Sequence, residues 1–315
     1  MGHQLVKTDI LLAVWQGEKY LPSLLQSLRD QTNPSFHVIY QDDGSRDSSI
    51  ALLEEIAGLD SRFTAGLEQG LHLGAAGNFL SLLRQSRADY IFLCDQDDIW
   101  EAQKIERMQN ILQQEETVTG KETPLLIHSD CTLIDGEGKE TAPSFFRLQG
   151  WDPSATSLAQ LLVQNNATGC TMMLNRALAD LVIRHGRASD MFMHDWFIAL
   201  TAAAFGKIVF LDQPLVRYRQ HENNAIGASH ASLLRRGSAA LRKQEEAKAR
   251  IALTYSHSRA FLSACDADLP APARNLIKQY LATEKLPKIR RILEIRRLGC
   301  VMQSPITRIG QVFFG

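Results

Sequence analysis

The chain reads as an α/β protein built on a mostly parallel, doubly wound sheet. Three observations carry that reading. Short apolar runs alternate four times with segments of helical period over the first hundred residues, the sequence mark of βαβ units. Two of those runs end in acidic clusters, Asp42-Asp43-Gly44-Ser45 and Asp95-Gln96-Asp97-Asp98, and strand ends are where open α/β sheets bind ligands. Hydrophobic residues make up 45% of the 315, enough to bury both faces of such a sheet.

Asp9 to Trp15 is a short apolar run closed by Gly17, and predicts the first strand. Tyr20 to Gln31 repeats leucine at 21, 24, 25 and 28, a helical period. Phe36 to Tyr40 is the second strand, and Ser45 to Ala57 the next helix, with Ile50, Leu53 and Ile56 on one face. Phe63 to Leu67 is a short strand, Gly74 to Arg87 a helix, and Tyr90 to Cys94 the strand that feeds the second acidic cluster.

Beyond residue 100 the rhythm loosens. Ile105 to Gln114 is amphipathic helix; Leu125 to Ser129 and Cys131 to Ile134 are two strands before an Asp135-Gly136 turn. Phe145 to Asn166 is irregular and then helical, Thr168 to Leu174 a strand, Arg176 to Arg184 a helix, and Asp195 to Ala204 an apolar helix. Ile208 to Leu211 and Val216 to Arg219 are short strands separated by Asp212-Gln213-Pro214. From Ala231 onward only helical patterns follow, broken near Asp266 to Ala273 and at Pro287. The division expected is therefore a sheet domain over 1–230 and a helical extension over 231–315.

Charge is divided the same way. Ala231 to Gly315 holds 16 Lys and Arg against 6 Asp and Glu, while the preceding residues hold 18 against 29. A basic extension on an acidic body suits an anionic surface, or else a solvated helical face. The five cysteines form no CxxC pair, which fits a reduced compartment. Asp9 interrupts the only apolar stretch near the N-terminus, and no run reaches the ~18 apolar residues of a spanning helix. A cytoplasmic protein is expected, peripheral on the inner face of the membrane if it meets one.

Acids packed this closely repel each other unless a cation or proton intervenes. Asp95-Gln96-Asp97-Asp98 suits Mg²⁺ or Mn²⁺, which take a carboxylate or two together with phosphate oxygens; the plainer reading is an acidic surface turn. Asp42 and Asp43 can accept from a base N–H or a ribose hydroxyl, or can cap the next helix. Trp15 offers a stacking face and Glu18 an acceptor, or they are a core tryptophan and a helix cap. Asp195, among apolar neighbours in Met193-His194-Asp195-Trp196, is either a general base or an N-cap, and the two are compatible. His221 can complete a metal site, and Arg217 and Arg219 can pair with phosphates.

In order, these segments resemble the inverting glycosyltransferases of family 2, with the GT-A fold. The similar segments are ILLAVWQGEKYL, QDDGSRD, DQDDIW with Glu101 and Lys104, NATGCTMMLNR, MHDW and FLDQPLVRYRQHENN, from Thr8 to Asn224. Within the family the set looks most like rhamnosyltransferase-like enzymes of bacterial surface-polysaccharide assembly. One departure is the turn Val14-Trp15-Gln16, where the family usually has Thr-Tyr-Asn. The resemblance implies that Ala13, Trp15, Glu18 and Asp43 hold the base and nearby sugar, and that Asp95 contacts the ribose or a metal-bound water. It implies that Asp97, with His221, binds Mg²⁺ or Mn²⁺ at the diphosphate, and that Asp195 is the base. The expected partners are a nucleoside diphosphate sugar and a glycan or lipid-linked acceptor, with no nucleic acid. A sugar-phosphate nucleotidyltransferase would need a Gly-rich, Arg-containing loop where this chain has WQGEKYL. A non-catalytic glycan- or membrane-binding module would not need both acid clusters and Asp195 together.

Overall fold

The structure is a computed structural model and describes residues 7–221 and 239–314. It opens with β1 (Thr8–Val14), α1 (Leu21–Arg29), β2 (His37–Asp42), α2 (Ser49–Leu59), β3 (Phe63–Ala65), α3 (Gly74–Gln85) and β4 (Tyr90–Asp95). Next come β5 (Ile99–Trp100), α4 (Lys104–Thr119), β6 (Leu125–Ile134), β7 (Glu140–Ala142), α5 (Phe145–Gln149), α6 (Leu158–Leu161), β8 (Met172–Asn175), α7 (Arg176–His185), α8 (His194–Phe205) and β9 (Lys207–Arg219). The helices α9 (Ala239–Cys265), α10 (Ala271–Thr283), α11 (Lys288–Leu298) and α12 (Pro305–Phe314) complete the described chain. The expected boundary at residue 230 lies outside the described residues.

The strands form one mixed, mostly parallel sheet in the order β3-β2-β1-β4-β8-β6-β9-β5, with β7 paired to β6. β3, β2, β1 and β4 run parallel, and β8 is antiparallel to both of its neighbours. All seven residues of β1 are buried, as a central parallel strand requires when helices cover both faces. Successive residues point to opposite faces, so Ile10, Leu12 and Val14 join a core with Leu21, Leu24, Leu28 and Met108 from α1 and α4. Leu11 and Ala13 join the other core, with α3, α7 and α8. That second core continues without a break into Ile251, Tyr255, Phe261, Ile277, Tyr280 and Ile295 of the C-terminal helices.

Several boundaries differ from expectation. β6 is one strand rather than two, and so is β9. Pro214 does not end β9, because it falls where the β6 register jumps from Ser129↔Leu211 to Asp130↔Pro214; a bulge is where a strand tolerates proline. The strand expected from Thr168 begins only at Met172, after a 3-10 turn over Gly169–Thr171. α2 begins at Ser49 rather than Ser45, since Asp42 holds the chain in a turn by accepting the N–H groups of Gly44 (2.9 Å) and Ser45 (2.8 Å).

Candidate active site

The parallel register brings the C-terminal ends of β1, β2 and β4 side by side. Val14 lies opposite Asp42, and Ala13 lies between Gln41 and Asp95. Both acidic clusters therefore open at one edge of the sheet, with Ala13 as the small residue between them.

The first cluster divides its work. Asp42 is buried and occupied by its own turn. Asp43 accepts the N–H groups of Leu73 and Gly74, which ties the segment before α3 to the strand end. Trp15 is 54% exposed, which rules out a core role and leaves its ring open for stacking. Glu18 accepts the N–H of Ser48 at 2.9 Å, so it supports the start of α2 rather than its own helix. The 15–18 turn is locked onto the second cluster. Gln96 Nε2 donates to Trp15 O (3.3 Å), and a Cβ on Gly17 would meet Gln96 Cγ at 2.9 Å.

The second cluster is built in two depths. At the mouth, His221 Nε2 lies 2.8 Å from Asp97 Oδ2. Behind it, Asp98 is fully buried. One of its oxygens accepts the N–H of Arg219 (3.0 Å), and the other, Oδ2, faces the Cys170 thiol with no hydrogen bond of ordinary geometry among the described residues. Asp95, Asp98 and the Cys170 thiol converge, with their ligand atoms all within 4.8 Å of one another. Lys104 is fully buried beneath them, donating to Cys170 O at 2.6 Å and lying 3.3 Å over the Trp100 ring. Burial brings its ammonium down to about 8 against the neighbouring negative groups. Desolvation first, and then Asp97 and Asp195, push Asp95 up to about 7. Desolvation and the same crowding of acids push Asp98 well above the usual range.

Arg219 holds the acidic turn to the rest of the sheet. It is 4% exposed, and its Nε donates to Asp97 O (2.8 Å) while Nη1 donates to Asp135 O (3.0 Å) and Gly136 O (3.3 Å). Its guanidinium lies 4.5 Å from the Tyr20 ring, which stacks in turn on His221. Arg217 likewise donates to Gly138 O (3.0 Å). These contacts are to backbone carbonyls, where the sequence suggested phosphates. The reason is local: the 135–138 turn presents its carbonyls to β9, and a guanidinium fork satisfies several at once.

Asp195 is the candidate that comes from α8. It sits in the first turn of α8, 5% exposed, and accepts the Trp196 N–H at 2.6 Å. Desolvation raises its carboxyl to about 6, against the pull of the Trp196 and Gly169 N–H groups. Its charge contributes to raising the Asp95 carboxyl. His194, beside it, is buried against Phe79 with ring centroids 4.1 Å apart. Gly169 is required there, since a Cβ would stand 2.9 Å from His194 Nε2.

The sequence placed Asp98 in the cluster suited to a metal and Lys104 in the segment after it, offered Arg219 as able to pair with phosphates, and gave no role to Cys170 or to the burial of Lys104. Lys104 carried a signal, since it lies between the apolar pairs Ile99-Trp100 and Ile105 with its partners. The pairings of Lys104 with Cys170 and of Asp98 with Arg219, 66 and 121 residues apart in the chain, left none.

Comparisons with known proteins agree with this architecture. The chain is 27% identical over 236 residues to a protein of Bacillus subtilis (strain 168), EpsH; the match covers 73% of this chain and 65% of that protein. It is 25% identical over 230 residues to the dTDP-rhamnosyl transferase RfbG of Shigella flexneri, covering 69% of this chain and 74% of that one. The structure of S. aureus TarS 1–349 in complex with UDP superposes with a TM-score of 0.54 at 14% identity, over 97% of this chain and 87% of that one. That likeness identifies the fold as the GT-A type with added C-terminal helices. The family described as glycosyl transferase family 2 matches residues 9–180, more than half of the chain, and the chain belongs to that family.

Proposed function

We propose that this protein is an inverting, divalent-cation-dependent glycosyltransferase that moves a hexosyl or deoxyhexosyl unit, such as rhamnose, from a nucleoside diphosphate sugar to a glycan or lipid-linked acceptor in surface-polysaccharide synthesis. The observation that carries the reading is Asp195, a desolvated carboxyl raised to about 6 and set electrostatically against the strand-end acid Asp95. The acceptor would bind between that base and the nucleotide site. RfbG, named as a dTDP-rhamnosyl transferase, and TarS, solved with UDP, support a nucleotide-sugar donor.

Two donor sets are candidates for the cation. The inner one includes the Cys170 thiol, which burial pushes well up, and a protonated thiol is a poor ligand for Mg²⁺ or Mn²⁺. Lys104 already supplies positive charge there. The outer one fits better: Asp97, with Asp95 beside it and His221 on its carboxylate, offers oxygen and imidazole donors at the mouth. Asp97 and His221 would hold the ion, and when bound it neutralises charge on the departing diphosphate.

The chain's own residues supply the rest. Trp15 stacks on the base, with Glu18 and Asp43 bordering that pocket and Ala13 leaving it floor space. Asp95 receives the ribose or a metal-bound water. Asp195 takes the proton of the acceptor hydroxyl as that oxygen attacks the anomeric carbon, and a single in-line displacement inverts the configuration. The basic C-terminal helices give the enzyme peripheral contact with the cytoplasmic face of the membrane; no described helix is long and apolar enough to cross it. A thermal-shift screen of dTDP-, UDP- and GDP-sugars with Mn²⁺ tests the reading. One donor should raise Tm in a Mn²⁺-dependent way, and a flat response to all of them sinks it.

A further inference from the structure

Lys104 opens α4 and is fully buried. An ammonium that only balanced buried acids would sit on a carboxylate. This one reaches past them. Asp98 and Asp95 lie within its field, but its hydrogen bond goes to a peptide carbonyl, Cys170 O, at 2.6 Å. Trp100 sets the approach, with its ring centroid 3.3 Å from Nζ. Lys104 therefore acts on the chain at Cys170 as well as on the acids.

Cys170 is the middle residue of the 3-10 turn Gly169–Thr171, and that turn touches the candidate base. Its first residue, Gly169, presents its N–H to the Asp195 carboxyl and pulls on it. A Cβ on Gly169 would stand 3.7 Å from Asp195 Cβ and 2.9 Å from His194 Nε2, so the turn is packed directly on the start of α8. Its middle residue faces the thiol to Asp98 and gives the carbonyl to Lys104. Thr171 closes the turn on itself, donating from N (2.9 Å) and Oγ1 (2.7 Å) to Thr168 O. Lys104 ties the closed turn to α4. A buried carbonyl that loses its donor is costly, so without Lys104 the turn would re-orient, and Gly169, the adjacent residue, would move with it.

We infer that Lys104 is a positioning residue for the proton transfer: by holding Cys170 O it fixes the 169–171 turn, and through Gly169 it fixes the Asp195 carboxyl. The inference rests on the proposed role of Asp195. It links the helix that follows the donor-side acids to the acceptor-side base, a task distinct from charge balance.

The test uses the full chain and separates holding from charge balance. Lys104→Met alone strands the Asp98 charge, so the comparison is between Asp98→Asn and Lys104→Met/Asp98→Asn, which share a neutral residue at 98. Hydrogen exchange read by mass spectrometry needs no donor. Removing Lys104 should speed exchange over 168–171 about tenfold or more, while β1 and β4 stay protected. With the dTDP-, UDP- or GDP-sugar selected by thermal shift, the double variant should keep the donor Kd and KM of Asp98→Asn and lose kcat about tenfold or more. The acid limb of its kcat/KM should move to higher pH by about half a unit or more, because the carboxylate loses an N–H that favours its charged form. The titratable neighbours of Asp195, Asp95 and His194, are the same in both proteins. Unchanged exchange over 168–171 would overturn the inference. So would faster exchange with kcat and the acid limb unmoved, which would leave Lys104 a structural cation while the loss of turnover in Asp195→Asn still supported the base. A kcat loss matched by a loss of donor affinity would mean general loosening of the site and would overturn it too. Near-normal turnover in Asp195→Asn would remove the base, and the positioning role with it.

Discussion

Replacing Asp195 by asparagine separates proton transfer from everything else the residue does. The amide oxygen can still accept the Trp196 N–H that Oδ1 accepts at 2.6 Å, so the first turn of α8 should keep its geometry. What disappears is the buried negative charge. Burial lifts the carboxyl from 3.8 to about 6, about two units at roughly 1.4 kcal/mol each, or on the order of 3 kcal/mol spent in the folded state on ionising it. A raised carboxyl favours the fold fully below its unfolded value and loses that contribution as pH rises through the folded one. Asp195→Asn should therefore be the more stable protein above about pH 6, with the advantage fading toward about pH 4. With about 2.1 cal/mol/K of unfolding entropy per residue, 3 kcal/mol corresponds to a Tm gain of about 4 °C in a chain of this length. Turnover should fall by about 10²–10⁴-fold, the usual worth of a general base, while donor affinity with Mn²⁺ is unchanged. In the wild type, kcat/KM should rise with pH up to about 6 and then level. The assay is paired scanning calorimetry across pH and donor turnover. Near-normal turnover would remove Asp195 as the base, and an unchanged Tm at neutral pH would refute the desolvation argument.

Three further outcomes follow from the same geometry. Asp97→Ala should abolish Mn²⁺-dependent nucleotide binding and transfer, as read by calorimetry; the same donor affinity with and without Mn²⁺ in the wild type would contradict the metal assignment. Lys104→Met leaves Asp98 buried without its neighbouring cation and should lower stability by about 3 kcal/mol, and Lys104→Met/Asp98→Asn should recover most of the loss in urea denaturation. Trp15→Ala should leave Tm unchanged, because the ring is half exposed, yet weaken donor binding about tenfold or more if the ring stacks on the base; an unaltered donor KM would free Trp15 of that role.

The parallel half of the sheet was legible because each strand is a continuous apolar run and each helix has a clean period. β1, β2 and β4 satisfy that condition, and the acidic residues at the ends of β2 and β4 mark the candidate site. Legibility failed where tertiary contacts override local pattern. Pro214 reads as a break, but a register shift absorbs it and β9 runs on. Ser45 reads as a helix start, but Asp42 takes its N–H first. Arg219 reads as a phosphate ligand because arginine usually is one near diphosphates. Among its partners in the structure are Asp97 O and Asp135 O, from turns whose approach only the folded sheet determines. Lys104 shows a partial signal: its apolar neighbours hint at burial, but its enclosure between Trp100, Cys170 and the acids is set only by the fold.

The central claim is that one carboxyl base, Asp195, drives a single displacement at a nucleotide-bound sugar. Proton NMR of the first sugar released or transferred from the donor that raises Tm tests it directly, because the anomeric signal is read before mutarotation. A single displacement predicts the anomer opposite to the donor's, at a rate that collapses in Asp195→Asn. Release of the donor's own anomer, or inverted product at an undiminished rate from the asparagine variant, would contradict it.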